Sequence, residues 1–179
     1  MLVALLPAAQ AETVQPDQRW AWSGSAGWID ARPLGAEGPG LHASGGRISG
    51  WLWSPNVGWI SAHCLNTDSC AEVEYGLRLD LVDGMPGLLR LSGYLWSPSA
   101  GWIVAHCATT HSCAEVEFGL YVDRASGLID GHAWSPALGW ISFSCANTSS
   151  CAQQVYGIGL LPESAVPLPQ ALFADGFEP

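Results

Sequence analysis

The sequence predicts an all-β fold: an antiparallel meander of three tandem units of about 40 residues plus one degraded copy, closed on itself or strongly curled. Three observations lead there. The motif Trp-Ser-Pro-x-x-Gly-Trp-Ile occurs at Trp53, Trp96 and Trp134, each time followed by Cys-x5-Cys and then by a Tyr/Phe-Gly-Leu/Ile run; self-similarity at a period of this size marks a repeat architecture. Between these landmarks lie short segments rich in aromatic and branched residues, their ends punctuated by Gly, Pro, Ser or Asp. No stretch has helical periodicity.

In chain order, residues 1–11 (MLVALLPAAQA) are apolar and end in the small-x-small pattern Ala9-Gln10-Ala11, which predicts an export signal. Trp22-Ser23-Gly24-Ser25-Ala26-Gly27-Trp28-Ile29 is a degraded copy of the motif without cysteines, and the Gly-rich stretch from Gly35 to Gly46 reads as an exposed linker after it. Strands are expected over Ile48 to Trp53, Gly58 to His63, Glu72 to Leu81, Leu88 to Trp96 and Phe118 to Asp123. The connector Ser54-Pro55-Asn56-Val57-Gly58 suits a tight hairpin, with Pro fixing φ and Gly supplying a positive φ, and Asp123-Arg124-Ala125-Ser126-Gly127 suits another. Tight connections at both ends make neighbouring strands antiparallel. Each unit is then a three-stranded meander whose last link is the Cys-x5-Cys loop, giving about eleven strands in a single domain over 12–161, with units at about 20–46, 47–88, 89–127 and 128–161. A barrel or curled meander hides the sheet edges; a trefoil or a solenoid are the rival arrangements, and three strands per unit favour the first.

The six cysteines fall as Cys64/Cys70, Cys107/Cys113 and Cys145/Cys151, and six cysteines can pair in fifteen ways. If the units fold alike, each pair closes its own loop, which suits an oxidising exterior or periplasm. The rival reading is a metal site, with His63 and His106 beside the first cysteines and His111 inside the second loop, but Ser144 stands where the third unit would need His and the spacing is not that of a zinc site. No metal or cofactor is expected. The net charge of −10, with six Arg and no Lys, disfavours a phosphate backbone or an anionic membrane as partner. No stretch after the leader approaches the ~20 apolar residues of a membrane-spanning helix.

Ten Trp in 179 residues carry the most chemistry. The constant Trp of the motif read first as core or as cross-strand ladder residues, worth ~0.5–1.5 kcal/mol per aromatic pair beyond buried area. Two residues before each opening Trp, on the same strand face, lies a varying row: Trp20, Trp51, Tyr94 and His132. That row is the candidate binding site, an outward aromatic stripe on which sugar rings stack. Glu72 and Glu74, matched by Glu115 and Glu117 and replaced by Gln153-Gln154 in the last unit, read as solvated charges along one strand face, with weak Ca²⁺ binding as the alternative. No catalytic residue is expected, because the five His have no nucleophile elbow near them; a polysaccharide hydrolase would need two carboxylates facing across a cleft, from Glu74, Glu117, Asp83 and Asp130.

The units ISGWLWSPNVGWISAHC, LSGYLWSPSAGWIVAHC and IDGHAWSPALGWISFSC resemble the Trp-Ser-x-x-x-Gly-Trp-Ile tandem repeats of exported bacterial proteins of unknown function, over residues 20–161, with Pro55, Pro98 and Pro136 where Glu is common. After a Pro-rich spacer, Leu172 to Glu178 resembles a short Phe-x-Asp-Gly-Phe-Glu ending of predicted exported proteins, and reads as an address or docking peptide within the tail 162–179. The expected function is therefore that of an exported, non-enzymatic surface recognition or adhesion protein. Its partner would be a polysaccharide or another envelope protein, with a structural role in an envelope or matrix assembly as the alternative.

Overall fold

The recurring motif has a physical reason in the computed structural model, which describes residues 13–35 and 38–161. In each copy the two Trp face each other across a hairpin and point outward, Trp53 opposite Trp59, Trp96 opposite Trp102, Trp134 opposite Trp140 and Trp22 opposite Trp28. The Ile after the second Trp points inward with the residue opposite it: Ala21 and Ile29, Leu52 and Ile60, Leu95 and Ile103, Ala133 and Ile141, all buried. The motif Ser is buried too, and its Oγ accepts the N–H of the residue two further on, closing the turn: Ser25 onto Ser23, Asn56 onto Ser54, Ser99 onto Ser97 and Ala137 onto Ser135. Ser54 and Ser23 also donate to the turn carbonyls of neighbouring hairpins at Ala26 and Leu138. The residue before Gly, which is Ala26, Val57, Ala100 or Leu138, folds inward as a plug, and Gly58 takes φ 79°, a left-handed conformation that any Cβ would strain.

Thirteen strands are described. The first unit supplies β1 (Val14–Ser23), β2 (Gly27–Asp30) and β3 (His42–Ser44). The second supplies β4 (Arg47–Ser49), β5 (Trp51–Ser54), β6 (Gly58–Ser61) and β7 (Leu77–Leu81). The third and fourth supply β8 (Leu88–Ser97), β9 (Gly101–Val104), β10 (Leu120–Asp123), β11 (Leu128–Ser135), β12 (Gly139–Ser142) and β13 (Ile158–Leu160). The four hairpins pair side by side in the order β1, β2, β5, β6, β8, β9, β11, β12 and back to β1, a closed antiparallel barrel of eight strands. Below it a second row runs β3, β4, β7, β8, β10, β11, β13, β1. Its two ends meet through Thr13, whose hydroxyl donates to the Leu41 carbonyl and accepts the Ala43 N–H, both at 2.9 Å.

Strands β8 and β11 serve both layers and bend between them at Gly93 and Gly131, and Gly50 makes the same bend between β4 and β5. At all three the φ is positive and a Cβ would overlap a backbone carbonyl, of Gly76, Gly119 or Gly40. The lower layer is filled by Ile48, Leu77, Leu91, Leu120, Ile129 and Ile158, continuous with the upper core; burying each such side chain contributes ~1.5–3 kcal/mol.

The meander and its closure are as expected, but several details differ. The strand expected from Glu72 starts only at Leu77, because residues 71–75 leave the disulfide loop as turn and extended coil. The stretch from Gly35 to Gly46 is not a plain linker: Leu41 and Ala43 are buried, and β3 ends the lower row. Single-turn helices at Cys64–Thr67, Cys107–Thr110 and Cys145–Thr148, too short for a periodicity signal, sit inside the cysteine loops. The leader 1–11 and the tail 162–179 lie outside the described residues.

Candidate functional site

The three disulfides are Cys64–Cys70, Cys107–Cys113 and Cys145–Cys151, one in each full unit. Each follows a capped helical turn. His63 and His106 accept the backbone N–H of Leu65 and Ala108 through Nδ1, at 3.2 and 3.0 Å, and Ser144 does the same for Ala146 through Oγ at 3.2 Å. This explains the exchange of His for Ser in the last unit: the position needs a short-range acceptor, which either side chain supplies. The ring atoms of His63 and His106 lie near the cysteine sulfurs, but those sulfurs are spent in disulfides and both Nδ1 atoms are engaged, so the group does not fit a metal.

Below the turn, the loop delivers an aromatic residue onto the next hairpin. Tyr75 meets Trp102 in a T-shaped contact with ring centroids 5.3 Å apart, as Phe118 meets Trp140 at 5.3 Å and Tyr156 meets Trp28 at 5.2 Å, the last across the junction between the final unit and the first. The varying row supplies a third ring against the same Trp: Tyr94 against Trp102 at 5.8 Å, His132 against Trp140 at 6.1 Å and Trp20 against Trp28 at 6.4 Å. Three of the four seams between hairpins thus carry an aromatic trio. The fourth has Trp51 on Trp59 at 6.0 Å, where the degraded copy has no Tyr or Phe to offer.

Buried hydroxyls fix two of the loop rings. Tyr75 Oη donates to Ser61 Oγ at 2.9 Å and Tyr156 Oη to Ser142 Oγ at 3.1 Å; Thr67 and Thr148 lie 3.0 Å from the same phenols. In the middle seam both partners change together, Phe118 losing the hydroxyl and Val104 replacing the serine.

Beside each trio is a groove. One of about 370 Å³ is lined by Glu74, Tyr75 and Tyr94 with Arg47, Arg78 and Arg90. A second, about 450 Å³, is lined by Glu117, Phe118, His132 and Trp140, and a third, about 240 Å³, by Gln154, Tyr156, Trp20 and Trp28. Two features that the sequence holds apart, the aromatic row and the Glu or Gln after the cysteines, therefore meet at each of these seams.

No protein-family model, no curated protein and no solved structure matches the chain.

The predicted row is placed as follows. Trp20 is exposed, whereas Trp51, Tyr94 and His132 are half-buried; the constant Trp are not barrel core but ladder pairs on the outer face, Trp140 being 46 % exposed. Burial is the main cause holding the His132 imidazole below its ordinary range, with Asp130 opposing it, so this ring is neutral at pH 7. Glu72 and Glu74 sit on the coil after the disulfide and not along a strand face, so the reading of edge charges on a strand is corrected. Glu74, Glu117 and Asp130 line three different cavities, and Asp83 lies in a turn. Asp123 shares a cavity with Asp130, but its carboxylate accepts the Ser126 hydroxyl and N–H, which hold it below the usual carboxylate range. The loop rings Tyr75, Phe118 and Tyr156 were not in the predicted site, although the Tyr/Phe-Gly signature marked their positions. Among the described residues no helix is long and apolar enough to cross a membrane.

Proposed function

We propose that this is an exported, non-enzymatic recognition protein that holds sugar rings in the grooves at the seams between its hairpins. The observation that carries the reading is the joint placement, at three seams, of an aromatic trio and a carboxylate or amide: Glu74, Glu117 or Gln154. A sugar presents an apolar C–H face to an aromatic ring and hydroxyls to hydrogen-bonding groups at its rim, and a groove with a few polar groups over an aromatic wall answers both. Export agrees with the three short disulfides, with the leader and with the resemblance to exported repeat proteins. Surface adhesion follows if several grooves engage one polymer, since linked weak sites add avidity.

The test is titration of the protein with a panel of bacterial and plant polysaccharides, followed by tryptophan fluorescence and calorimetry, with Trp20→Ala, Tyr94→Ala and His132→Ala altering one groove each. Saturable binding that each substitution weakens at its own groove supports the reading. Folded protein whose emission is indifferent to every polysaccharide overturns it and leaves a structural role, in which the trios only staple neighbouring units together.

A further inference from the structure

The chain has six Arg and no Lys against sixteen acidic residues, yet three of the six, Arg47, Arg78 and Arg90, line one groove. Arg47 on β4 and Arg78 on β7 are direct cross-strand partners, and Ser92 on β8 follows opposite Arg78 in the same row. Like charges directly opposite each other destabilise a sheet, so the fold gains nothing from this pair. Among the described residues Arg47 has no carboxylate within ion-pair distance. Arg78 reaches Glu74 at 3.5 Å, but both side chains are more than half exposed, a pairing of the weak surface kind. Arg90 lies 3.6 Å from Asp80 and its Nε is buried without a hydrogen-bond partner.

Three guanidinium groups against Glu74 and the Asp80 carboxylate, which pairs with Arg90 and accepts the Ser92 hydroxyl, leave the groove with one net positive charge in a molecule of net charge −10. Burial and then Arg47 push the His63 imidazole at the groove wall below its ordinary range, so this His adds no charge at neutral pH. Tyr94 and Tyr75 supply aromatic surface beside the cations. The other two aromatic grooves contain no Arg.

We propose that the groove between β4, β7 and β8 binds an acidic sugar residue, its anionic group held by Arg47 and Arg78 and its ring against Tyr94. This rests on the glycan reading above and assigns one groove a ligand class different from its siblings. Guanidinium forks match the two oxygens of a carboxylate and the oxygens of a sulfate ester alike.

The experiment is calorimetric titration of the full chain with a galacturonate oligomer, its fully methyl-esterified counterpart and a sulfated galactan oligomer of equal length, at low and high salt. The expected result is at least tenfold tighter binding of one or both acidic oligomers than of the ester, weakening with salt. Arg47→Gln and Arg78→Gln should each lose at least fivefold, and Arg124→Gln, whose guanidinium contacts the Pro86 carbonyl at a distant turn, should lose none. Which acid wins identifies carboxylate or sulfate. Because Arg47 and Arg78 are exposed, the variants should melt at or above the parent temperature. Equal affinity for ester and acid, with the aromatic substitutions still effective, overturns this inference and spares the glycan reading; absence of binding to every oligomer overturns both. Inorganic sulfate competing as well as the sulfated oligomer would reduce the groove to an anion site and overturn the sugar assignment.

Discussion

The paired exchange of Ser142 and Tyr156 for Val104 and Phe118 can be made by mutation. Tyr156 is 6 % exposed, and its hydroxyl has two neighbours, Ser142 Oγ at 3.1 Å and Thr148 Oγ1 at 3.0 Å. Ser142 Oγ also donates to the Ser144 carbonyl at 2.7 Å and accepts from Asn147 Nδ2 at 3.3 Å. Ser142→Val alone leaves the phenol with Thr148 as its remaining partner; Asn147 keeps its bond to the Gly131 carbonyl at 2.7 Å, and Ser144 keeps the Asn147 N–H at 3.2 Å. A buried polar group stripped of a partner costs ~1–3 kcal/mol, and in a chain of this size each kcal/mol moves Tm by ~2–4 °C. Tyr156→Phe alone removes two bonds of ordinary strength, at a cost of ~1–2 kcal/mol. The double variant recreates the Val–Phe pair of the middle seam, where Thr109 stands in place of Asn147, so it should lie within ~1 kcal/mol of the parent, with a favourable coupling of about 1 kcal/mol or more between the sites. Urea and thermal melts of the four proteins measure the cycle. A double variant destabilised by the full sum of the singles would refute the claim that these two positions form one unit.

Gly119→Ala should be strongly destabilising, because its Cβ would overlap the His106 ring, and Gly76→Ala nearly as much, with Cδ2 of His63 at 2.6 Å; Gly157→Ala meets only the end of the Gln18 side chain and should cost less, an order that thermal melts check. Replacing Cys145 and Cys151 together by Ser should cost ~2 kcal/mol by the loop-entropy relation, and a melt unchanged within 1 °C would show that the capped turn holds the loop without the bond. Burial comes first among the causes holding His63, His106 and His132 below the ordinary imidazole value. The unfolded chain then binds more protons than the folded one between each lowered value and about 6.5. Stability should accordingly be intact above neutrality and fall as pH drops from ~6.5, with His titration by NMR locating the three values.

Closure of the sheet was legible because tight connections make neighbouring strands antiparallel, and a closed or curled meander hides their edges. So was the pairing of cysteines within each unit. The second layer was harder to see. Its strands are as short as Ile158–Leu160 and His42–Ser44, and the bends that hand β8 and β11 from one layer to the other rest on single glycines inside apparently continuous strand patterns. At the site, the sequence offered the row Trp20, Trp51, Tyr94 and His132 but left the constant Trp as either core or ladder residues. Period-2 alternation gives two faces without saying which is inside, and here the smaller Ala, Leu and Ile fit the narrow barrel lumen that indole rings do not. The Arg groove was invisible because Arg47 and Arg78, at opposite ends of the second unit, are brought together by a pairing across the whole hairpin and disulfide loop between them.

The barrel is sealed by β1, which lies between β2 and β12 and pairs below them with β13, while the Leu161 N–H donates to the Thr13 carbonyl at 2.7 Å. The described chain is thus a ring with a cut in it, like a bracelet whose clasp is made by its two outermost links. The first and last hairpins lack a neighbour until the last strands have arrived, so a growing chain carries open sheet edges until β11 to β13 take their places. Such long-range pairing makes for slow folding, and it places the decisive step after the last strand has been made. The position of the cut is arbitrary with respect to the packing: joining the two ends and reopening the ring at an exposed turn between other units would leave every hairpin with the same two companions.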